Sequence, residues 1–207
     1  MDKFVIAITR TCGSGGTIIG KMLSNDLGIN MYDKELLRLA SDDSGINEAL
    51  FANADEDVKN SLLYKVSKKV YNGELIPPEN HDFTSNDNLF NYQAKILREL
   101  AERESYVVIG RCADYILRDN PNVFKIFIHA SNEYCIQNEM DILGFSEKDA
   151  IKEIKRLDKY RSGYYHYHTG EDWENVKNYD LSLDTSKLGF EKCVKYIKEY
   201  IKLRMNS

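Results

Sequence analysis

Long apolar runs are missing from this chain of 207 residues. None approaches the length of a membrane span, so no membrane partner is expected. Basic clusters are missing too. No block of Lys and Arg exceeds two residues outside mixed-sign segments and the formal charge is −5, so no nucleic-acid-binding surface is expected. The four cysteines (Cys12, Cys112, Cys135 and Cys193) lie far apart and form no Cys-x-x-Cys pair. They read as free thiols of a reducing compartment rather than a disulfide framework. The opening Met1-Asp2-Lys3-Phe4 lacks a basic leader, a long apolar core and a small-residue cleavage site, so a cytoplasmic location is expected.

What is present is an ordinary globular balance, 43% hydrophobic and 29% charged, at a length that suits one medium domain with room for a mobile sub-domain. Phe4 to Thr9 is a nearly unbroken apolar run, as expected of a strand buried on both faces of a parallel sheet. A Gly-rich turn follows, then a helical spacing of Ile18, Ile19, Met22, Leu23 and Leu27, with Gly28 placed to end it. Ile29–Tyr32, Tyr106–Ile109, Val123–Ile128 and Asp180–Leu183 read as four more strands. Helices are predicted over 47–73, 89–104, 146–160 and 189–204, with one opened by Ser131, and a flexible loop over 74–88 around Pro77-Pro78. Alternating strands and helices imply an α/β fold with a parallel sheet covered on both faces.

The turn Cys12-Gly13-Ser14-Gly15-Gly16-Thr17 joins a strand to a helix. Backbone amides in such a turn and the positive helix end converge on phosphate oxygens; the plainer reading is a tight turn that needs glycine for geometry alone. The literal GxxxxGK pattern falls on Gly15 to Lys21, too far past the strand. The register directly after the strand runs from Arg10 to Thr17. It puts Arg10 at the first glycine, Gly16 at the lysine and Thr17 at the Mg²⁺-binding hydroxyl. The loop is therefore degenerate, and the missing lysine charge must come from elsewhere.

Five segments in order carry a resemblance: Ile8 to Gly16; Met31 to Glu35; Val108 to Tyr115; Asp158 to Arg161 with Tyr164-Tyr165; and Asn178 to Leu181 with Asp184-Thr185-Ser186. The chain resembles the cytidylate kinase-like proteins, a branch of the P-loop nucleoside monophosphate kinases. The resemblance implies a three-layer P-loop NTPase-type fold. It would have a five-stranded parallel sheet, a helical acceptor-binding insert at about 45–90 and a lid at about 156–175, all in one domain spanning 1–207. It implies ATP as co-substrate, Mg²⁺, and small-molecule nucleotide substrates, with transfer of the γ-phosphoryl group to a nucleoside monophosphate, CMP or dCMP first.

By the same resemblance, Gly13, Ser14, Gly15, Gly16 and Thr17 cradle the ATP phosphates, and Thr17 also serves the metal. Asp33, Arg111 and Arg161 are the expected catalytic residues, and Arg10, Arg38, Asp114 and Asp158 the expected acceptor contacts. Asp33 also fits a helix N-cap, and Arg111 a surface ion pair. Asp114 stands two positions from Cys112, where cytidylate kinases carry a cytosine-reading aspartate. Cys135 and Asn138 stand where such kinases bring arginines. Lys159 and Arg156 assist Arg161 or belong to a solvated helix end; Tyr164, Tyr165 and Tyr167 stack on a base or pack in the core. His166 and His168 lack the partners of a metal site, and Trp173 reads as an anchor for the lid base. Two other functions remain open: a nucleotide-binding protein with little or no transfer, and a kinase of another small acceptor.

Overall fold

The computed structural model describes residues 3–57 and 73–206. Five strands, β1 (Val5–Arg10), β2 (Asn30–Tyr32), β3 (Tyr106–Ile109), β4 (Val123–His129) and β5 (Leu181–Asp184), form one sheet in the order β2-β3-β1-β4-β5. Every described pairing is parallel, with Val5 opposite both Tyr106 and Val123. The helices are α1 (Gly16–Leu27), α2 (Glu35–Ser44), α3 (Glu48–Asp57), α4 (Asn86–Arg103), α5 (Ala113–Ile116), α6 (Asn132–Leu143), α7 (Glu147–Thr169), α8 (Thr185–Leu188) and α9 (Phe190–Met205). The second half of the helix expected over 47–73 lies outside the described residues.

Strand alternation divides the core between the two faces. Val5 and Ala7 of β1 join Tyr106, Val108 and Phe127 against α2, α4, α5 and the end of α7. Ile6 and Ile8 join Val107, Ile109 and Phe124 against Ile19 and Leu23 of α1 and Val194 and Ile197 of α9. A run apolar at every position suits this layering, since each side chain is buried whichever way it points. Each of the fully buried aliphatic side chains contributes about 1.5–3 kcal/mol of transfer free energy.

The structure differs from the sequence reading in three places that shape the site. Helix α7 does not stop near Tyr160. It runs on to Thr169, because Tyr164, Tyr165 and His168 bury one face of its last turns. His168 lies parallel to Phe90 at 3.8 Å between centroids. Next, Asp33 is not the cap of α2: the cap position is Lys34, in right-handed conformation and without a side-chain cap bond. Finally, the 74–88 segment is tethered. The buried Asn88 side chain accepts from Ile76 N (2.8 Å) and donates to Phe83 O (2.7 Å), and Asn91 donates to Glu74 O.

Candidate active site

The C-terminal ends of β1, β2 and β3 share one edge of the sheet, where ligands bind in open α/β folds. Arg10 ends β1, Asp33 and Lys34 follow β2, and Gly110-Arg111 follow β3. All five line a cavity of about 430 Å³. Arg161 of α7 comes in from above, and Leu37, Tyr160, Tyr164, Tyr165 and Trp173 supply an apolar and aromatic wall. Asp33 is the single carboxylate among the described lining residues, against four cations. A half-enclosed hollow with three guanidinium forks has the chemistry to hold phosphate oxygens.

The backbone after β3 is held in an uncommon form at Arg111. Arg111 (φ 61°) and Cys112 (φ 53°) both adopt the left-handed region. A non-glycine residue there costs on the order of 1 kcal/mol, and such strain concentrates at functional sites. Arg10 is also held at a cost. Its Nε is buried without a hydrogen-bond partner. Burial, then Arg161 and Arg111, push its guanidinium down to about 9, opposed by Asp33; it stays protonated at neutral pH.

The glycine loop lies next to this cavity and is braced from behind. Ser14 is fully buried; its hydroxyl donates to Thr11 O (2.8 Å) and Ile128 O (3.2 Å). Thr185 Oγ1 donates to Ser14 O (2.9 Å), and Asn138 Nδ2 donates to Gly13 O (2.8 Å). Carbonyls are thus tied back into the protein. The first amides of α1, at Gly16, Thr17 and Ile18, lack intrahelical acceptors and point out of the helix end. Gly15 has φ 80°, and a Cβ there would meet the Phe190 ring (2.6 Å from Cζ), so only glycine fits. The loop's leading amide is already engaged: Cys12 N donates to Asp158 Oδ1 at 2.7 Å.

The predicted site residues separate into three groups. Arg10, Asp33, Arg111 and Arg161 meet in the cavity. Gly13 to Thr17 form the loop and first turn beside it, with Thr17 exposed. Arg38, Asp114 and Asp158 lie elsewhere. Arg38 is exposed on α2 and paired with Glu35 (2.8 Å) and Asp42 (3.5 Å). Asp114 is buried, accepting from Tyr165 Oη (2.6 Å), and burial raises its carboxyl to about 6. Asp158 serves the loop and pairs loosely with Arg161 (3.4 Å). Asn138, which replaces an expected arginine, buttresses the loop instead. His166 and His168 do not pair: His166 Nδ1 sits 3.1 Å from Glu171 O, while burial pushes His168 down to about 3, neutral in its aromatic stack. Sequence reading missed Lys34 and the Cys12–Asp158 contact. The first had a signal in its place directly after Asp33; the second, between residues 146 positions apart, had none.

The profile of the cytidylate kinase-like family matches residues 5–187. The chain belongs to the cytidylate kinase-like family. An uncharacterised protein from Eubacterium ventriosum is similar to it over 97% of this chain and 99% of that one, at 27% identity and a TM-score of 0.71. A shikimate kinase from Bacteroides thetaiotaomicron (TM-score 0.52, 14% identity, 96% of this chain and 98% of that one) shares the fold. So does a gluconokinase from Sinorhizobium meliloti (TM-score 0.52, 14% identity, 99% and 95%). No curated protein matches the sequence. The thiols that border the glycine loop are inert: burial, aided by Glu139 and Asp158, pushes Cys12 up to about 12, and burial pushes Cys135 to about 11. Neither is a nucleophile near neutral pH.

Proposed function

We propose that the protein transfers the γ-phosphoryl group of ATP to a nucleoside monophosphate, with CMP and dCMP first among the acceptors. One observation carries this reading: Arg10, Arg111 and Arg161, from two strand ends and a helix, converge with Asp33 beside a glycine loop at the start of α1. The acceptor phosphate binds the Arg111 fork, and its base lies along the wall of Tyr160, Tyr164, Tyr165 and Trp173. The ATP phosphates take the amides of Gly13 to Thr17. Arg161 spans the two, since it lines the cavity and its Nη1 lies 3.4 Å from Arg10 O at the loop's entrance. It neutralises charge on the moving group.

The exposed Thr17 hydroxyl at the first turn of α1 fits Mg²⁺, a hard cation that takes oxygen ligands and keeps most of its waters. Bound there, the ion would neutralise phosphate charge. Among the described residues no cluster of three His, Cys, Asp or Glu offers a metal an alternative. In this reading Asp33, the single carboxylate among the described lining residues, orients an attacking acceptor oxygen.

A second reading is favoured by two observations: Gly16 stands at the lysine position, and Asp158 occupies the Cys12 amide. It is a nucleotide-binding protein with little transfer. Coupled ADP release with ATP, Mg²⁺ and a panel of nucleoside monophosphates separates the two. Turnover that depends on one acceptor supports the kinase; calorimetric nucleotide binding without turnover supports the second reading.

A further inference from the structure

Arg10 and Gly16 occupy the positions where a P-loop ordinarily has glycine and lysine, so the two residue types have changed places. The geometry explains why both must change together. A Cβ built on Gly16 would lie 2.5 Å from Arg10 Cβ and 2.9 Å from Arg10 Cγ. Side chains cannot stand on both positions at once. A lysine at 16 requires a bare residue at 10, and a long residue at 10 requires glycine at 16. The Arg10 stem thus crosses the space that a loop lysine's stem would need. Its guanidinium continues toward the next strand: Nη1 lies 2.5 Å from where a Gly110 Cβ would stand.

From this we infer that Arg10 is the phosphate-contacting cation of the nucleotide loop, relocated from the first turn of α1 to the end of β1. The inference deepens the kinase reading and rests on it for the identity of the nucleotide. Three observations support it. Arg10 lines the cavity, so its charge reaches the ligand space. Its Nε is buried and unpartnered, a donor held without an acceptor of the protein's own. It also sits among Arg161 and Arg111, which lower its proton affinity, an arrangement that a bound polyphosphate would relieve. The ordinary lysine offers a point charge; a guanidinium offers a planar fork that can bridge oxygens of two phosphoryl groups.

The test is ATP binding by calorimetry, with Mg²⁺ and no acceptor, so that it reads the donor site without turnover. Arg10→Met keeps the stem and removes the charge. Its Kd for ATP is expected to rise at least about tenfold, while its melting midpoint without nucleotide stays level or rises, since a buried cation crowded by Arg161 and Arg111 is lost. Arg10→Lys should bind more tightly than Arg10→Met. Gly16→Lys alone should bind poorly because of the collision, and Arg10→Gly with Gly16→Lys should bind more tightly than Arg10→Gly. An Arg10→Met Kd within about twofold of the parent overturns the inference, as does a midpoint drop of more than about 10 °C, which marks a structural role. A parent protein that binds ATP but phosphorylates nothing sinks the kinase reading alone and leaves Arg10 judged by the Kd series. A parent that does not bind ATP overturns both.

Discussion

The carboxylate of Asp158, on α7, accepts a 2.7 Å hydrogen bond from the backbone amide of Cys12, at the head of the glycine loop. Arg161, one turn further along α7, reaches both Asp158 Oδ1 and Arg10 O at 3.4 Å. A single helix turn therefore fixes the loop's entrance and carries a cavity arginine. A hydrogen bond of this kind, to a charged and part-buried group, is worth about 1.5–3 kcal/mol. Asp158→Ala should lower unfolding free energy by about that much and lower kcat/KM through a misplaced Arg161. Asp158→Asn, which keeps an acceptor, should lose less of the stability. Denaturant unfolding of the two variants checks the order.

Arg111 predicts a separation of stability from function. Glycine relieves left-handed strain, so Arg111→Gly should be more stable than Arg111→Ala by about 1 kcal/mol. Either change removes a phosphate contact and should cost at least about 2 kcal/mol in kcat/KM. Thermal unfolding and steady-state kinetics on one preparation of each variant test both halves.

Two buried groups pull stability in opposite directions with pH. His168 has a folded-state value of about 3 against an ordinary 6.5, so the unfolded chain takes up its proton first. Its contribution is complete above about pH 6.5 and is lost as pH falls toward 3. Asp114 has a folded-state value of about 6 against 3.8, so here the folded chain takes up its proton first. Its burial penalty is relieved as pH falls through about 6. The histidine shift is the larger, so it dominates the parent protein. His168→Phe keeps the stack on Phe90 and should remove much of the acid sensitivity between pH 6.5 and 4. Urea midpoints across that range show whether the two curves diverge as pH falls.

Gly15 allows a double-mutant check on the loop. Gly15→Ala should destabilise the protein by both strain at φ 80° and collision with Phe190. Phe190→Ala in the same chain should recover the steric part and leave about 1 kcal/mol of strain. Simple additivity in a thermodynamic cycle would contradict the contact.

Much of the fold was legible because parallel strands are buried on both faces. Phe4–Thr9 and Tyr106–Ile109 read as strands and are β1 and β3 within a residue. The Ser131 cap was legible because its chemistry is local: its hydroxyl accepts from Tyr134 N. The length of α7 was not. Gly163 and the Tyr/His run that follows it have modest helix propensity, and the helix persists because Tyr164, Tyr165 and His168 pack onto α4 and α5. The approach of Arg10, Asp33 and Arg111 was legible because each stands at or just past the C-terminal end of a parallel strand. The burial of Asp114 behind Tyr165 did not show, because that bond joins residues 51 positions apart.

The central claim is phosphoryl transfer between a loop-bound triphosphate and an acceptor held by Arg111. Phosphorus NMR of the purified protein with ATP, Mg²⁺ and CMP tests it most directly, because donor and product are seen in one spectrum. The expected result is equal growth of ADP and CDP signals that is lost in Arg111→Ala. Unchanged ATP and CMP signals, with no diphosphate formed from any nucleoside monophosphate by the folded protein, would contradict it.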